Sequence, residues 1–265
     1  MNELNPDFVD VGRGAAQRRI AVVHAAGAQG ETGDSSCGVF WLSGFKSDMQ
    51  GSKAQALCAH ARSKGFASTR FDYSGHGLSS GDFEQACVSD WLEEALCVFD
   101  RCCKQPTVIV GSSMGGWLAL LLALARRETS LIKGLVLIAP ATDFTEELMW
   151  KHRFTDEIRQ VIERDGRWQQ ASEYSDDPYV ITRKLIEDGR KHLLLDKPLF
   201  VGCPVTILQG QQDPDVPWQH AVRLSEALPR DDVTFSLIPD GDHRLSRPQD
   251  LALMIDAVDH HLGLA

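Results

Sequence analysis

The feature that most constrains this chain is a glycine-flanked serine between a predicted strand and a predicted helix. Residues 107–110 (Thr-Val-Ile-Val) form the predicted strand, Gly-Ser-Ser-Met-Gly-Gly follows at 111–116, and an apolar helix is predicted over 117–127. A strand that turns at once into a helix strains the residue at the bend and leaves no room for side chains beside it. The pattern therefore predicts a sharp turn that exposes Ser113, with Gly111 and Gly115 lacking a Cβ by necessity. Ser112 is interpreted as a turn residue.

Short apolar runs alternate with longer amphipathic runs along most of the chain. Further strands are predicted at 19–24, 38–42, 67–71, 134–138, 204–208 and 233–238, and helices at 52–64, 89–100, 219–228 and 248–262. Ser89 is the predicted N-cap of the helix at 89–100. Strands this apolar need cover on both faces, so the alternation predicts an α/β fold with a mostly parallel central sheet. We expect the strands at 19–24 and 38–42 to pair antiparallel through the glycine-rich stretch 27–33.

The segment 142–199 interrupts this alternation. It contains no predicted strand, and its helical patches at 146–153, 155–165 and 180–192 flank a polar stretch at 172–178. We expect a helical cap, inserted into a core of residues 1–141 and 200–265 and laid over one edge of the sheet. The carboxyl edge of an open α/β sheet is where ligands bind, so such a cap can line a pocket. Met149 and Trp150 are candidate substrate-binding residues, with packing against the core as the alternative.

Charge and composition exclude several classes of protein. The 265 residues include 27 Lys and Arg against 37 Asp and Glu, which gives a net charge of −10 and argues against nucleic acid and anionic lipid as partners. No run approaches the roughly 20 apolar residues of a membrane span, and the acidic N-terminus is not a secretory signal. The seven cysteines lack a framework spacing, so we expect reduced thiols in the cytoplasm. The sequence predicts no metal site, because Cys102 and Cys103 are followed by no third and fourth ligand at zinc spacing. It predicts no cofactor, and the stretch 27–33 lacks the Lys-Ser/Thr ending of a phosphate-binding loop.

A serine hydroxyl needs a base to act as a nucleophile near neutral pH. His243 lies in a polar loop directly after the predicted strand 233–238, which is where such a base is expected. Six other histidines lie in early elements, in the segment 142–199 or on the last helix: His24, His60, His152, His192, His260 and His261. His243 is therefore the predicted base.

The acid that orients this histidine is expected after the preceding strand, 204–208. The loop there offers Asp213 and Asp215, and we favour Asp213 because it lies three residues after Gly210 where the loop turns off the strand. Asp240 and Asp242 are interpreted as shaping the histidine loop. The order Ser113, Asp213, His243 is the chain order expected for a serine triad on an α/β sheet.

An oxyanion formed at Ser113 needs two backbone donors. One is the N–H of Met114, the residue after the nucleophile. We assign the second to Phe45, in the loop after the strand 38–42, with Gly44 allowing the chain to approach closely.

Together these motifs resemble the α/β-hydrolase superfamily over essentially the whole chain from about residue 19. Within it, the chain is similar to the group of α/β-hydrolase domain-containing protein 10, through Leu-Ser-Gly-Phe-Lys-Ser-Asp-Met at 42–49, Arg-Phe-Asp-Tyr-Ser-Gly at 70–75, the serine string and Val-Pro-Trp at 216–218. The resemblance implies the same triad, and it implies acyl-protein thioesterase activity and hydrolysis of acyl glucuronides. Many superfamily members carry His-Gly where this chain has Ser43 and Gly44. Asp72 and His76 resemble residues of a structural turn.

We therefore expect a serine hydrolase that cleaves carboxylic esters or thioesters, of small molecules or of acylated proteins, through an acyl-enzyme. The alternatives are an acyl-protein or acyl-CoA thioesterase specifically and a carbon–carbon bond hydrolase. A binding module that kept the fold without catalysis is a further hypothesis. Epoxide and haloalkane hydrolases are disfavoured because they use Asp at the position of Ser113.

Overall fold

A computed structural model describes residues 5–28, 37–170 and 179–264. Eight strands form the main sheet: β1 (Asp7–Val11), β2 (Arg18–Ala25), β3 (Gly38–Leu42), β4 (Ala67–Phe71), β5 (Thr107–Ser112), β6 (Ile132–Ile138), β9 (Val205–Gly210) and β10 (Val233–Ile238). Their order across the sheet is β1-β2-β4-β3-β5-β6-β9-β10. The pairs β1–β2 and β2–β4 are antiparallel, and all other pairs are parallel. The predicted α/β fold with a mostly parallel sheet is confirmed.

Five helices pack on this sheet: α1 (Ser52–Ser63), α2 (Val88–Cys102), α3 (Met114–Arg126), α6 (Trp218–Glu226) and α7 (Pro248–Leu262). Alternate residues of the central strands point to opposite faces, as the two-residue period of a strand requires. Phe40 and Leu42 of β3 face the core under α2 and α3, whereas Val39 and Trp41 face the core under α1 and α7. Because both faces are buried in this way, the strands read as continuous apolar runs.

One expectation about the start of the chain needs correction. The strands β2 and β3 do not pair, because β4 lies between them: β2 binds residues 68–71 of β4, and β3 binds residues 67–70 from the other side. Helix α1 crosses from β3 to a parallel β4, and β2 then takes the open edge of β4. Of the stretch 27–33, residues 29–33 lie outside the described residues. Strand β1 was not predicted.

The start of α2 also differs from the prediction. The helix begins at Val88 with Cys87 as its N-cap, and the carboxylate of Asp90 accepts the N–H of Cys87 at 3.1 Å. Ser89 is therefore inside the first turn and not the cap. Its N–H and hydroxyl donate instead to Asp188, at 2.7 and 2.9 Å.

Between β6 and β9 the chain forms a π-helix (Thr145–Arg153), α4 (Asp156–Asp165), β7 (Arg167–Gln170), β8 (Tyr179–Thr182) and α5 (Arg183–Gly189). The expectation of no strand in this segment is wrong, because β7 and β8 pair as an antiparallel ribbon. The polar stretch 172–178 lies outside the described residues. The division into a core of 1–141 and 200–265 and an inserted cap of 142–199 stays a prediction.

The buried carboxylate of Asp143 helps to join the two ends of this segment. Asp143, with a φ of 56°, accepts the N–H of Leu194 at 2.9 Å and of Leu195 at 2.8 Å. Burial raises the pKa of Asp143 to about 6, against the opposing effect of these two donors. We call this contact the Asp143 clasp; it holds the start and the end of the segment together beside β6.

Candidate active site

Ser113 occupies a strained bend between β5 and α3. Its φ of 55° and ψ of −119° are rare for a residue with a side chain, and its N–H donates to the carbonyl of Ile138 at 2.9 Å. A Cβ on Gly111 would lie 2.6 Å from the carbonyl carbon of Gly115. A Cβ on Gly115 would lie 2.6 Å from the carbonyl carbon of Leu42 and still closer to its oxygen. The two glycines are therefore needed for steric reasons, as the sequence predicted.

The strands bring four loops to one edge of the sheet. Ser113 follows β5, Phe45 follows β3, Asp213 follows β9 and His243 follows β10, and all four strands run parallel. Since carboxyl ends of parallel strands meet at one edge, residues far apart in the sequence become neighbours there.

His243 lies between the other two predicted catalytic side chains. Its Nε2 is 3.1 Å from Oγ of Ser113, and its Nδ1 is 2.8 Å from Oδ2 of Asp213. The imidazole is partly exposed, with 24% of its side chain accessible, whereas the Asp213 side chain is fully buried. Both distances are within hydrogen-bonding range, so the imidazole connects the hydroxyl of Ser113 to the carboxylate of Asp213.

The carboxylate of Asp213 accepts four hydrogen bonds. Oδ1 accepts the N–H groups of Asp215 and Val216, both at 2.8 Å, and Oδ2 accepts the amide of Gln209 at 3.1 Å besides His243. Both oxygens of this buried carboxylate therefore have hydrogen-bond partners, and a buried polar group without such partners is costly. Asp215, the alternative acid, is 3.2 Å from Arg153 and meets Asp213 only through its own backbone N–H.

The residues beside the histidine match the expected supporting role. Asp240 pairs with Arg247 at 2.7 Å, and Asp242 accepts the N–H of Leu245 at 2.9 Å, so both carboxylates brace the loop that carries His243.

The residues predicted to supply the oxyanion donors both belong to segments that adjoin the bend at Ser113. Met114 is the first residue of α3, whose N-terminal dipole points positive charge at Ser113. A Cβ on Gly44 would lie 3.3 Å from Cβ of Ser113, which places the loop carrying Phe45 directly against the bend. The ring of Phe45 packs on those of Phe83, Trp91 and Phe144, with centroids 5.1 to 6.0 Å apart.

The candidate substrate residues Met149 and Trp150 lie in the π-helix, half-buried against the main core. The ring of Trp150 is 6.5 Å from that of Phe154, and the guanidinium of Arg190 lies 4.9 Å from its centroid. Both contacts are with residues of the segment 142–199. The role of Trp150 toward a substrate stays a prediction.

One group of side chains has the spacing of a cation site. Ligand atoms of Asp213, Asp215 and His243 lie within 4.8 Å of one another. Both oxygens of Asp213 already accept hydrogen bonds from protein donors, and Nδ1 of His243 faces one of them. The hydrogen bonds that Asp213 accepts from His243 and from the N–H of Asp215 account for this arrangement.

Sequence reasoning missed two residues that support the site. Gln209 is fully buried at the end of β9, and its amide also donates to the carbonyl of Val216 at 3.0 Å. Lys53 of α1 donates to the carbonyl of Arg244 and to Ser246 at 3.3 Å, so it braces the loop after His243; burial lowers its pKa to about 8. For Gln209 the sequence does contain a signal, namely a polar residue at the end of an otherwise apolar strand. Lys53 had no comparable signal, since its partners lie about 190 residues away.

This fold and this arrangement of side chains define a class. The chain belongs to the alpha/beta hydrolase family, which it matches over residues 20–252. It is 36% identical over 223 residues to mitochondrial palmitoyl-protein thioesterase ABHD10 of Mus musculus, covering 84% of this chain and 74% of the relative. The structure of mouse alpha/beta hydrolase domain-containing protein 10 superposes with a TM-score of 0.83 at 31% identity, covering 97% of this chain and 98% of that one. A protein of Agrobacterium vitis S4 assigned as a hydrolase superposes with a TM-score of 0.91 at 45% identity, covering 98% and 99%.

Helices of membrane-spanning length and hydrophobicity do not occur in the part of the chain that the structure describes.

Proposed function

We propose that this chain is a serine hydrolase that cleaves carboxylic esters or thioesters through an acyl-enzyme intermediate. The observation that carries the proposal is the continuous line of hydrogen bonds from Oγ of Ser113 through His243 to Asp213, at 3.1 and 2.8 Å. An imidazole at this distance can accept the hydroxyl proton as the oxygen attacks a carbonyl carbon.

The proposed reaction has two halves. Oγ of Ser113 bonds to the carbonyl carbon while its proton moves to Nε2 of His243, and the carbonyl oxygen becomes an oxyanion that accepts the N–H groups of Met114 and Phe45. The imidazolium then gives its proton to the departing alcohol or thiol, which leaves an ester on Ser113. Water adds by the same route and releases the acid. Asp213 holds the imidazole tautomer and stabilises its charged form.

Within this reaction, we propose thioesters of long acyl chains, including acylated proteins, as the first substrate class to test. The support is the name of the relative, a palmitoyl-protein thioesterase. Oxygen esters follow the same steps, so acyl length and leaving group must be measured. We propose that Met149 and Trp150 of the inserted cap line the acyl site.

Ser113→Ala tests the nucleophile. We expect it to abolish turnover of p-nitrophenyl esters and labelling by a fluorophosphonate, with the melting temperature unchanged. Ser112→Ala is the matched control, because it removes the neighbouring buried hydroxyl and is expected to keep activity. Asp213→Asn and Asp215→Asn form a second matched pair, of which only the first is expected to lose activity. Activity retained in Ser113→Ala would refute the proposal.

An acyl series from acetate to palmitate, in paired oxygen esters and thioesters, tests the substrate class. An apolar site gives a gain in kcat/KM of about 0.8 kcal/mol per buried methylene, roughly fourfold, until the site is full. Trp150→Ala is expected to flatten this gain, whereas Trp168→Ala, which removes a ring packed 5.4 Å from Phe154 in the same segment, is expected to keep it. An equal effect of both changes would contradict the role of Trp150.

The cytoplasmic location also stays a proposal, and the relatives are described as mitochondrial. Fractionation of cells that express a tagged chain decides between the two compartments.

A further inference from the structure

The loop after β3 contains an unusual turn at Phe45. The N–H of Ser47 donates to the carbonyl of Gly44 at 3.1 Å, so Phe45 and Lys46 occupy the two central positions of a β-turn. Lys46 has a φ of 54°, whereas Phe45 lies outside the left-handed region, which is the pattern of a type II turn. Glycine or asparagine normally occupies the second central position, because a side chain there is strained. A lysine in this conformation therefore needs an external partner that holds it.

His76 supplies that partner. The N–H of Lys46 donates to Nε2 of His76 at 3.1 Å. Since Nε2 accepts, the proton of the neutral ring is on Nδ1, which donates to the carbonyl of Ser74 at 3.1 Å. The imidazole is 5% exposed, and burial lowers its pKa to about 4, so the accepting form is the one present near neutral pH.

The ring of His76 is itself fixed by aromatic neighbours. Tyr73, Phe83 and Trp91 meet it edge to face, with centroids 5.2 to 5.8 Å away. Phe83 and Trp91 also pack on the ring of Phe45. The acceptor and the turn that it holds are therefore built into one aromatic cluster.

A second contact holds the far end of the same loop. Oδ1 of Asp72 accepts the N–H of Met49 at 2.7 Å, and Oδ2 accepts the N–H of Leu78 at 2.8 Å. Gly77 is needed beside this carboxylate, because its φ is 47° and a Cβ would lie 2.8 Å from Oδ1. The motif Asp-Tyr-Ser-Gly-His-Gly at 72–77 thus accepts hydrogen bonds from two residues of the loop 43–49. The contact made by His76 is the one next to Phe45.

We propose that His76 is a positioning residue for the oxyanion donor: its Nε2 holds the N–H of Lys46 and thereby fixes the turn that presents the N–H of Phe45 to the tetrahedral intermediate. This inference rests on the proposed function. Without the acceptor, the Phe45–Lys46 peptide can flip to the type I form, which relieves the strain on Lys46 and loosens the turn against Ser113. Donors aligned in advance contribute most to stabilising an oxyanion, so a loosened turn lowers catalysis more than binding.

The test compares three substitutions at one position. His76→Gln keeps an acceptor near the place of Nε2, His76→Leu removes it, and His76→Asn keeps a shorter amide that reaches only the place of Nδ1. We expect kcat per titrated active site to fall about 10- to 100-fold in the Leu and Asn variants with KM changed less than twofold, as part of the 10²–10³ that one oxyanion donor is worth. The affinity of a trifluoromethyl ketone, whose adduct carries the oxyanion, is expected to weaken by the same factor. The Gln variant is expected to stay within threefold of the wild type.

Two controls separate positioning from simple destabilisation. His261→Leu removes another buried histidine, which belongs to α7 and is hydrogen-bonded to Thr206 at 3.0 Å. This variant is expected to have lower stability and an unchanged kcat per active site. Amide exchange of Lys46 reports the hydrogen bond without any catalysis, with protection expected in the Gln variant and lost in the Leu and Asn variants. If His76→Leu does not fold, the Gln and Asn pair decides.

Three results would overturn the proposal. They are an unchanged kcat in His76→Leu or His76→Asn, a loss of kcat without weaker ketone binding, and a Gln variant as poor as the Asn variant. Failure of the proposed function itself gives a different result, namely turnover that survives Ser113→Ala.

Discussion

Replacing Gly115 by alanine adds a methyl group where the nucleophile bend meets the loop after β3. The new Cβ would lie 2.6 Å from the carbonyl carbon of Leu42 and 2.7 Å from the carbonyl oxygen of Ser43. Nonbonded carbon atoms prefer 3.5 to 4.0 Å, so the two backbones must separate by about 1 Å. These are backbone atoms held in the sheet and cannot rotate away. The displacement falls on the loop that carries Phe45, three residues beyond Leu42.

A displacement of about 1 Å at a reacting centre costs on the order of 100-fold in rate, or about 2.7 kcal/mol of transition-state stabilisation. Overpacking is expected to lower the free energy of unfolding by about 1–3 kcal/mol. The assay is kcat/KM on a p-nitrophenyl ester, normalised to titrated active sites, with a urea melt. Gly51→Ala is the matched control, because Gly51 has a φ of −57° and its Cβ would meet the nearest atom only at 3.6 Å. A wild-type kcat/KM in the Gly115→Ala variant would show that the bend has room for a methyl group.

Two further predictions concern stability. Burial lowers the pKa of His76 to about 4, with Lys46 lowering it and Asp48 raising it, whereas an exposed imidazole has a pKa near 6.5. Between these two pH values the unfolded chain binds more protons than the folded chain, so the free energy of unfolding falls as the pH drops from 6.5 to 4. In urea melts at several pH values, His76→Gln is expected to remove up to about 3 kcal/mol of that fall. The same dependence of the free energy of unfolding on pH in both proteins would contradict this prediction. Arg18 contacts the fully buried carboxylate of Glu94 at 2.6 Å, so Arg18→Met is expected to lower the free energy of unfolding by about 3 kcal/mol. Arg126→Met, whose partner Asp100 is half exposed, is expected to cost less than about 1 kcal/mol, and equal costs would refute the argument from burial.

The features that sequence predicted well are those with a local physical cause. The bend at Ser113 follows from adjacent glycines between an apolar strand and an apolar helix, and each of these is visible within a dozen residues. The places of Asp213 and His243 follow from chain order and from the rule that parallel strands end at one edge. Neither inference needs the identity of a distant neighbour.

The features that sequence did not predict depend on distant neighbours. Strand β1 has only Val9 and Val11 pointing inward among acidic residues, so its pattern is weak until β2 is present to pair with it. The pairing of β2 with β4 in place of β3 depends on which edge is open after α1 crosses. The ribbon of β7 and β8 has four residues per strand: Arg167–Gln170 is mostly polar, and the apolar pair in Tyr179–Thr182 is too short to indicate a strand on its own.

The same limit applies to the supporting residues of the site. His76 was interpreted as part of a structural turn, because the sequence shows its own loop but not the N–H of Lys46, thirty residues earlier, that it accepts. Gln209 likewise contacts Asp213 only because the loop after β9 folds back on the strand.

The clasp at Asp143 separates two kinds of change that such a chain can undergo. The stretch that begins at residue 142 returns to its starting point at Leu194 and Leu195, and the strands on either side of it, β6 and β9, are paired neighbours. Because its two ends are joined, this stretch can differ in length without separating β6 from β9, whereas its contacts with the rest of the chain, such as Asp188 with Ser89 and Arg153 with Asp215, depend on its composition. Variation of this kind is expected to leave the pairing of β6 with β9 in place.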